Sequence, residues 1–495
     1  MLITFDSLRA DVVGGLGGAP GLMPRLEELV RQADWAGRGI AASSWGVPAM
    51  ASLFTGLRPW QHQVLEVDQA RLSPELITLP KALSARGYKT AGFWTNHFYS
   101  DRQGYAQGFD TYESFGRGRR AAERLADLDG GRQFVWVHIP EPSAPYIRHD
   151  DLIPRLGADL PRVLPPRLLP EQLQPFFNPG NPLPPDKRRR FWAMYRLNAA
   201  RADDRLGRLL DSLRSSGQWD RTLLVITANH GEEIGENGQI LHGGNLGRQL
   251  LEVPLVIKLP RGAGRRIAEP KERRVAAARL WATLVEAAGG AAPPAVAPSL
   301  FRRAYGPVLS ELYEIGSSNL FSLVDGDDQL LWESRFGPPE PGYYRALEEA
   351  GQPDADAVFD RLAAAFRTAP PLAGRAEMGP PVLTLVHWDA RGSHVVDAPA
   401  RTREAREMAR RLEEAWRRFV PEELAPAEER LEWGDILANR PERALPGSIA
   451  QRLEHPAHNR TVPGSNPGGP TLKAPSGKTF NLFLEQLFFG EESKS

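Results

Sequence analysis

Two apolar runs of strand length, each ending abruptly in polar side chains able to hold a metal ion, constrain this chain more than any other feature. Leu2-Ile3-Thr4-Phe5 runs into Asp6 and Ser7, and Leu223-Leu224-Val225-Ile226-Thr227-Ala228 runs into Asn229, His230, Gly231 and Glu232. Strands buried on both faces read as continuous apolar runs, and open α/β sheets gather their sites beyond the carboxyl ends of such strands. Strand-like and helical patterns alternate through the first 310 residues. That alternation predicts an α/β fold: a large, mostly parallel mixed sheet flanked by helices.

Past residue 310 the texture changes. Short strand candidates lie at Gly306–Leu312, Phe321–Val324, Gln329–Trp332 and Val382–Val386, followed by a helical pattern from about Thr402 to Phe419. Three units are expected: a main domain over 1–310, a smaller C-terminal α+β subdomain of antiparallel sheet and helix over 311–435, and a tail over 436–495. The tail has two readings. Gly464-Ser465-Asn466-Pro467 is what GGT-TCG-AAT-CCC encodes, a sequence resembling the T-arm of a transfer-RNA gene, so the tail reads as spurious read-through; otherwise it is a Pro/Gly-rich disordered segment. Within the main domain, the proline-rich stretch Asp150 to Pro185 reads as a long surface excursion near the mouth of the site. From Arg188 onward, Phe191, Met194, Tyr195, Ala199, Leu206, Leu209 and Leu210 recur at near-helical spacing.

Composition excludes several classes of function. At 495 residues the chain suits one large core and a smaller one. Lys and Arg balance Asp and Glu at 61 each, so no basic footprint for nucleic acid is present. There are no cysteines, hence no disulfides and no thiolate ligands, and the compartment stays open on that ground. No apolar run approaches the ~20 residues that span a bilayer, so no membrane span is expected. No export signal precedes Leu2. The expected location is therefore cytoplasmic as the sequence stands, and periplasmic or extracellular if an upstream signal was lost. Oligomeric state is not legible.

The order of motifs carries a family resemblance. After Asp6 come the helical Pro24–Leu29, then Ser44-Trp45-Gly46-Val47-Pro48 through Thr55-Gly56, then Thr78–Leu83 with Gly87–Ala91. Gly108-Phe109-Asp110-Thr111-Tyr112, Trp136-Val137-His138 with Pro142-Ser143-Ala144-Pro145-Tyr146, His242-Gly243-Gly244 and Val253-Pro254-Leu255 follow. Each is weak alone, but in this order they resemble the sulfatase branch of the alkaline-phosphatase superfamily. The resemblance implies a divalent cation (Ca²⁺, Mg²⁺ or Mn²⁺), an activated hydroxyl nucleophile, and donors that absorb charge on a sulfuryl or phosphoryl group.

Residue by residue, the resemblance makes Asp6, Asn229 and His230 the metal ligands, with Ser7 where some relatives carry a second Asp. Asp6 as a helix N-cap is the plainer alternative. Asn229 stands where a carboxylate is usual, and its neutral oxygen supplies no negative charge. The nucleophile position falls on Gly46, which has no oxygen; Ser44, two residues upstream, is the substitute hydroxyl. Met50 stands where many relatives have Arg. Ser143 and Glu141 replace the His and Asp of the Asp-Pro-His-x-Pro-Tyr loop. His242 matches a catalytic and substrate-contact position, Ser143 and Asn96 are further candidates for substrate contact, and His97 follows Asn96. Ser44, Ser52 and Ser143 assemble no acyl-transfer triad, and no Gly-x-Ser-x-Gly elbow is present.

Two functions follow. One is a metal-dependent hydrolase of sulfate or phosphate esters, with a small anionic ester as its ligand. The other is a non-catalytic relative that binds or scaffolds. With one carboxylate and no bridging oxygen, the cation is expected to be held weakly or not at all.

Overall fold

The first apolar run forms a strand buried along its whole length, β1 (Leu2–Asp6), and a sheet assembles around it. This computed structural model describes residues 1–65, 71–114, 131–157, 161, 163–176, 182–236, 239–293, 296–304, 306–313, 319–334, 382–389 and 392–395. The remaining strands of the main sheet are β2 (Trp35–Ile40), β3 (Lys89–Trp94), β4 (Thr111–Ser114), β5 (Gln133–Pro142), β6 (Leu224–Ala228), β7 (Glu252–Lys258) and β8 (Val275–Ala276). They lie in the order β8-β2-β7-β6-β1-β5-β3-β4. β1 pairs in parallel with β5 and with β6. β7 runs antiparallel to both its neighbours, which makes the sheet mixed.

Register sets the level of the site. Phe5 pairs with Ala228 across β1 and β6, so Asp6 and Asn229 leave the sheet side by side. Against β5 the register shifts between Phe5 and Asp6, which pairs with Pro142. Such an irregularity at a strand end re-aims the next side chain.

Apolar layers cover both faces. On one, Ile3, Phe5, Ile226 and Ala228 pack against Phe191, Met194, Tyr195, Leu206 and Leu209 of the long Pro185–Ser215 helix. On the other, Leu2, Val225 and Trp136 pack against Phe54 and Met50 of the Gly46–Thr55 helix and Trp281 of the Arg279–Ala287 helix. Met50 is thus a fully buried core residue. The Gly46–Thr55 helix ends at Gly56, whose φ of 72° is the left-handed stop that glycine takes without strain. Among the described residues, no helix is long and apolar enough to cross a membrane.

The proline-rich stretch is more than a surface excursion. Where described, it carries short helical turns at Asp150–Leu156, Pro170–Leu173 and Gln174–Phe176, and Arg167–Leu168 pairs with Tyr146–Ile147. Leu152, Leu156, Leu164, Leu173, Phe176 and Leu183 are buried in the same cluster as the long helix. Prolines masked the pattern, because turns scatter apolar residues without a fixed period.

The second sheet is a five-stranded antiparallel meander: β9 (Val308–Leu312), β10 (Asn319–Asp325), β11 (Asp328–Ser334), β12 (Val382–Asp389) and β13 (Gly392–Val395). The expected helix at 402–419 and the tail at 436–495 lie outside the described residues. The division into 1–310, 311–435 and 436–495 remains a proposal. β9 docks on the approach to the Gly46–Thr55 helix: Ser310 Oγ donates to Ala41 O at 2.7 Å and Glu311 N donates to Ala42 O at 2.9 Å. Glu311, fully buried, accepts from Arg58 Nη1 at 2.8 Å and from Trp60 N at 3.0 Å.

Removing one partner of a buried ion pair strands the other charge, which costs about 3–5 kcal/mol. Glu311→Ala is therefore expected to lower unfolding free energy by about 3 kcal/mol in a denaturant melt. A loss below about 1 kcal/mol, the range of exposed pairs, would show that the contact does not anchor β9.

Candidate functional site

The backbone just past β1 takes a shape that few residues adopt. Ser7 has φ 64°, in the left-handed region that costs a non-glycine residue energy unless its surroundings hold it there. Three hydrogen bonds do so around it. Ser7 N donates to Asn229 Oδ1 at 3.1 Å, Tyr195 Oη donates to Ser7 O at 2.8 Å, and Asp6 O accepts from Ser143 N at 3.2 Å. Ser7 thus turns the chain, and its own buried hydroxyl has no partner.

Asp6 is the centre of the site. Its Oδ1 accepts from Asn229 Nδ2 at 2.8 Å, and its Oδ2 accepts from Asn96 Nδ2 at 3.2 Å. His138 Nε2 stands 3.5 Å from Oδ2, and His230 Nε2 stands 3.7 Å from Oδ1. Burial alone would raise the carboxyl's pKa, but His138 and Asn229 outweigh it and hold Asp6 well below the usual carboxylate range.

Hydrogen bonds assign the protons of both imidazoles. Trp136 Nε1 donates to Thr4 Oγ1 at 3.0 Å, and Thr4 Oγ1 lies 2.9 Å from His138 Nδ1. With the threonine proton given to Nδ1, His138 carries its own proton on Nε2, toward Asp6. His230 Nδ1 sits 2.6 Å from Gly231 O, an acceptor, so its proton is on Nδ1 and Nε2 is bare. Burial, then repulsion from His242, push His230 down to about 3, so this ring is neutral.

Position 46 faces the same centre. A Cβ built on Gly46 would lie 3.3 Å from Asn229 Nδ2 and 3.7 Å from His230 Nε2, but 2.5 Å from the hydroxyl of Tyr99. Tyr99 Oη accepts from Asn229 Nδ2 at 3.0 Å. Ser44 is fully buried with an unpartnered hydroxyl, and its carbonyl accepts from Gly243 N at 3.2 Å. Ser143 reaches the site through its backbone, and Glu141 pairs with Arg205 Nη2 at 2.7 Å. Ser52 does meet a histidine, His62, with Oγ and Nε2 2.9 Å apart. His62 Nδ1, however, accepts from Val64 N at 3.1 Å, so Nε2 carries the proton and cannot act as a base. Burial pushes His62 down to about 3, and the pair is a closed core contact.

At the mouth, His242 is 30% exposed on its side chain while Glu232 behind it is fully buried. His242 Nδ1 lies 2.7 Å from Glu232 Oε1, and Tyr146 Oη donates to Glu232 Oε2 at 2.7 Å. Burial lowers the imidazole's pKa, but the Glu232 charge and hydrogen bond outweigh it, and the net shift is upward. The His242 ring lies 4.4 Å from that of His230, centroid to centroid.

These residues do not fit a divalent cation. Asp6 is the one carboxylate at the centre among the described residues, and both its oxygens already face N–H groups. Asn229 turns its nitrogen, not its oxygen, toward Asp6, because Ser7 N and His230 N occupy the oxygen. Position 46 offers no oxygen, and no group of three or more carboxylate or imidazole ligands is assembled among the described residues. The bare Nε2 of His230 and the hydroxyls of Ser7 and Ser44 are without partners, but all three are neutral.

The structure thus brings together Asp6, Asn229, His230, Gly46, Asn96 and the backbone of Ser143, with His242 at the rim. Tyr99 was not singled out from sequence, and His138, Glu232 and Tyr146 stood there only within motifs, without a role of their own. For Glu232 a signal existed, since it follows directly on the second strand-end motif. For Tyr99 there was none.

Comparison with known proteins bears on the family and the fold. Over 95 residues the chain is 35% identical to the multifunctional alkaline phosphatase superfamily protein PehA of Trinickia caryophylli, covering 19% of this chain and 18% of that protein. It is 25% identical over 240 residues to the low-salt glycan biosynthesis sulfotransferase Agl7 of Haloferax volcanii, covering 46% of this chain and 50% of that one. The chain therefore spans half or less of these curated relatives. The crystal structure of the phosphonate monoester hydrolase of Agrobacterium radiobacter superposes with a TM-score of 0.54 at 17% identity, covering 80% of this chain and 99% of that one, which shows a common fold. A profile of the sulfatase family matches residues 1–129 and 169–291, more than half of the sequence, and the chain belongs to that family.

Proposed function

We propose that this chain binds a small sulfate or phosphate ester at the carboxyl ends of β1 and β6 and does not hydrolyse it through a covalent intermediate. One observation carries this reading. The side-chain direction at position 46 aims at Asn229 and His230, and the residue there is glycine. The covalent route divides one hard displacement into two easier ones, and it needs an oxygen at that point. The hydroxyl nearest to it, Tyr99, is a poor nucleophile: burial, then the charge of Asp6, hold its pKa well above the ordinary tyrosine value. Metal chemistry typical of the family finds too few ligands. What supports binding is His242 at the rim, backed by buried Glu232 and able to donate Nε2–H to an oxyanion.

A second reading rests on Ser44, whose buried hydroxyl has no partner. It makes the chain a working hydrolase with a shifted nucleophile. Turnover of 4-nitrophenyl sulfate and 4-nitrophenyl phosphate separates the two. The purified protein is expected to show no hydrolysis above buffer, and Ser44→Ala is expected to change nothing. Efficient turnover abolished by Ser44→Ala would make Ser44 the nucleophile.

Binding should follow the charge of His242. Its raised pKa means that the imidazolium is fully present below the ordinary histidine range and is lost as pH rises through the raised value. Affinity for inorganic sulfate or phosphate, measured by calorimetry, is expected to fall across that interval, and His242→Gln should weaken binding about tenfold and flatten the pH dependence. Binding unaltered in His242→Gln would remove His242 from the ligand.

The Glu232 contact has its own readout. In an NMR titration of the His242 ring, Glu232→Gln is expected to lower the midpoint, because the neutral amide withdraws the charge that raises it. An unchanged midpoint would mean that Glu232 does not set this proton.

A further inference from the structure

We propose that Tyr99 and Asn229 fill the space and balance the charge that a nucleophile oxygen and a divalent cation would otherwise supply, so that the centre is complete without metal. This rests on the reading of position 46 as the vacated nucleophile position.

The first observation is the place of the Tyr99 hydroxyl. It lies 2.5 Å from where a Cβ at position 46 would be, closer than real Cβ atoms approach another atom. Tyr99 is fully buried and cannot swing aside. Its ring packs edge-on against Tyr105, Trp136 and His138 with centroids 5.2, 6.3 and 4.9 Å away. Its N–H donates to Asn96 O at 2.9 Å, and its carbonyl accepts from Tyr112 Oη. Ring and backbone are both held, so glycine at 46 and tyrosine at 99 are complementary.

The second observation is the orientation of Asn229. Two backbone donors, Ser7 N at 3.1 Å and His230 N at 2.8 Å, demand an oxygen on one side of the amide. The nitrogen then serves Asp6 Oδ1 and Tyr99 Oη together. A carboxylate here would set a second negative oxygen about as close to Asp6 Oδ1 as the amide nitrogen now stands, at 2.8 Å. That arrangement requires a cation or a shared proton between them, and the amide removes the requirement.

The third observation is that Asp6 already accepts on both oxygens, from Asn229 and Asn96, with His138 Nε2 3.5 Å from Oδ2. A cation would have to displace these donors, and what it would gain beside Asp6 is the neutral Nε2 of His230.

Thermal melts test the proposal without reference to turnover. Protein dialysed against EDTA is expected to melt at the same temperature with and without millimolar Mn²⁺. Asn229→Asp should melt several degrees lower in EDTA and recover with Mn²⁺. Gly46→Ala normally stabilises a helix, because glycine gives up more freedom on folding. Here it should lower the melting temperature, and in a Tyr99→Phe background the sign should reverse. A wild-type melt raised several degrees by Mn²⁺ would sink the proposal, and so would a stabilising Gly46→Ala with Tyr99 in place. Should a variant not accumulate, the wild-type melt decides alone. Ester hydrolysis by a protein whose melt ignores Mn²⁺ would refute the functional reading and leave this one standing.

Discussion

The parallel pairing of β1 with β6 on one side and β5 on the other governs everything built at the site. Because Phe5 is level with Ala228, Asp6 and Asn229 emerge as neighbours, and the irregularity opposite Pro142 turns Asp6 toward the converging loops. The strands are buried on both faces, so a slip in register would move apolar side chains between two different packed layers. The position of Asp6 is therefore set by the core.

A carboxylate held there needs compensation. In this chain it comes from amide and imidazole N–H groups delivered by three separate segments: Asn96 after β3, His138 within β5 and Asn229 after β6. Of these, His138 and Asn229 keep Asp6 ionised despite burial. Burying a charge is tolerable only when hydrogen bonds replace the water it loses, and here the protein supplies them itself. The outer half of the site is organised differently. His242 keeps part of its ring exposed and draws its charge from Glu232, which is in turn held by Tyr146. The site thus combines a buried carboxylate centre with a partly exposed imidazole at its rim.

Much of this was legible in the sequence. The two strands, the helix from Pro185 to Ser215 and the meander near Phe321 and Gln329 follow from the period of their apolar residues, which is a local property. Asp6, Asn229 and His230 could be named because they sit immediately after such strands, and Asn96 because it follows β3. The proline-rich stretch after Asp150 was misjudged, since its buried leucines lie on turns that have no period.

What only the tertiary structure decided is how side chains from distant segments share one small volume. Glycine at 46 shows that an oxygen is missing, but a hydrogen atom in place of a side chain carries no information about what fills the space. Tyr99 fills it from a helical turn beyond β3, positioned by Tyr105, Trp136 and His138. The orientation of the Asn229 amide likewise depends on the left-handed turn at Ser7, and that turn depends on Tyr195 from the long helix. Sequence determines which groups arrive at the ends of the strands, because strand periodicity is local. Close packing determines which of their atoms meet, because that depends on loop paths and rotamers set by the rest of the molecule.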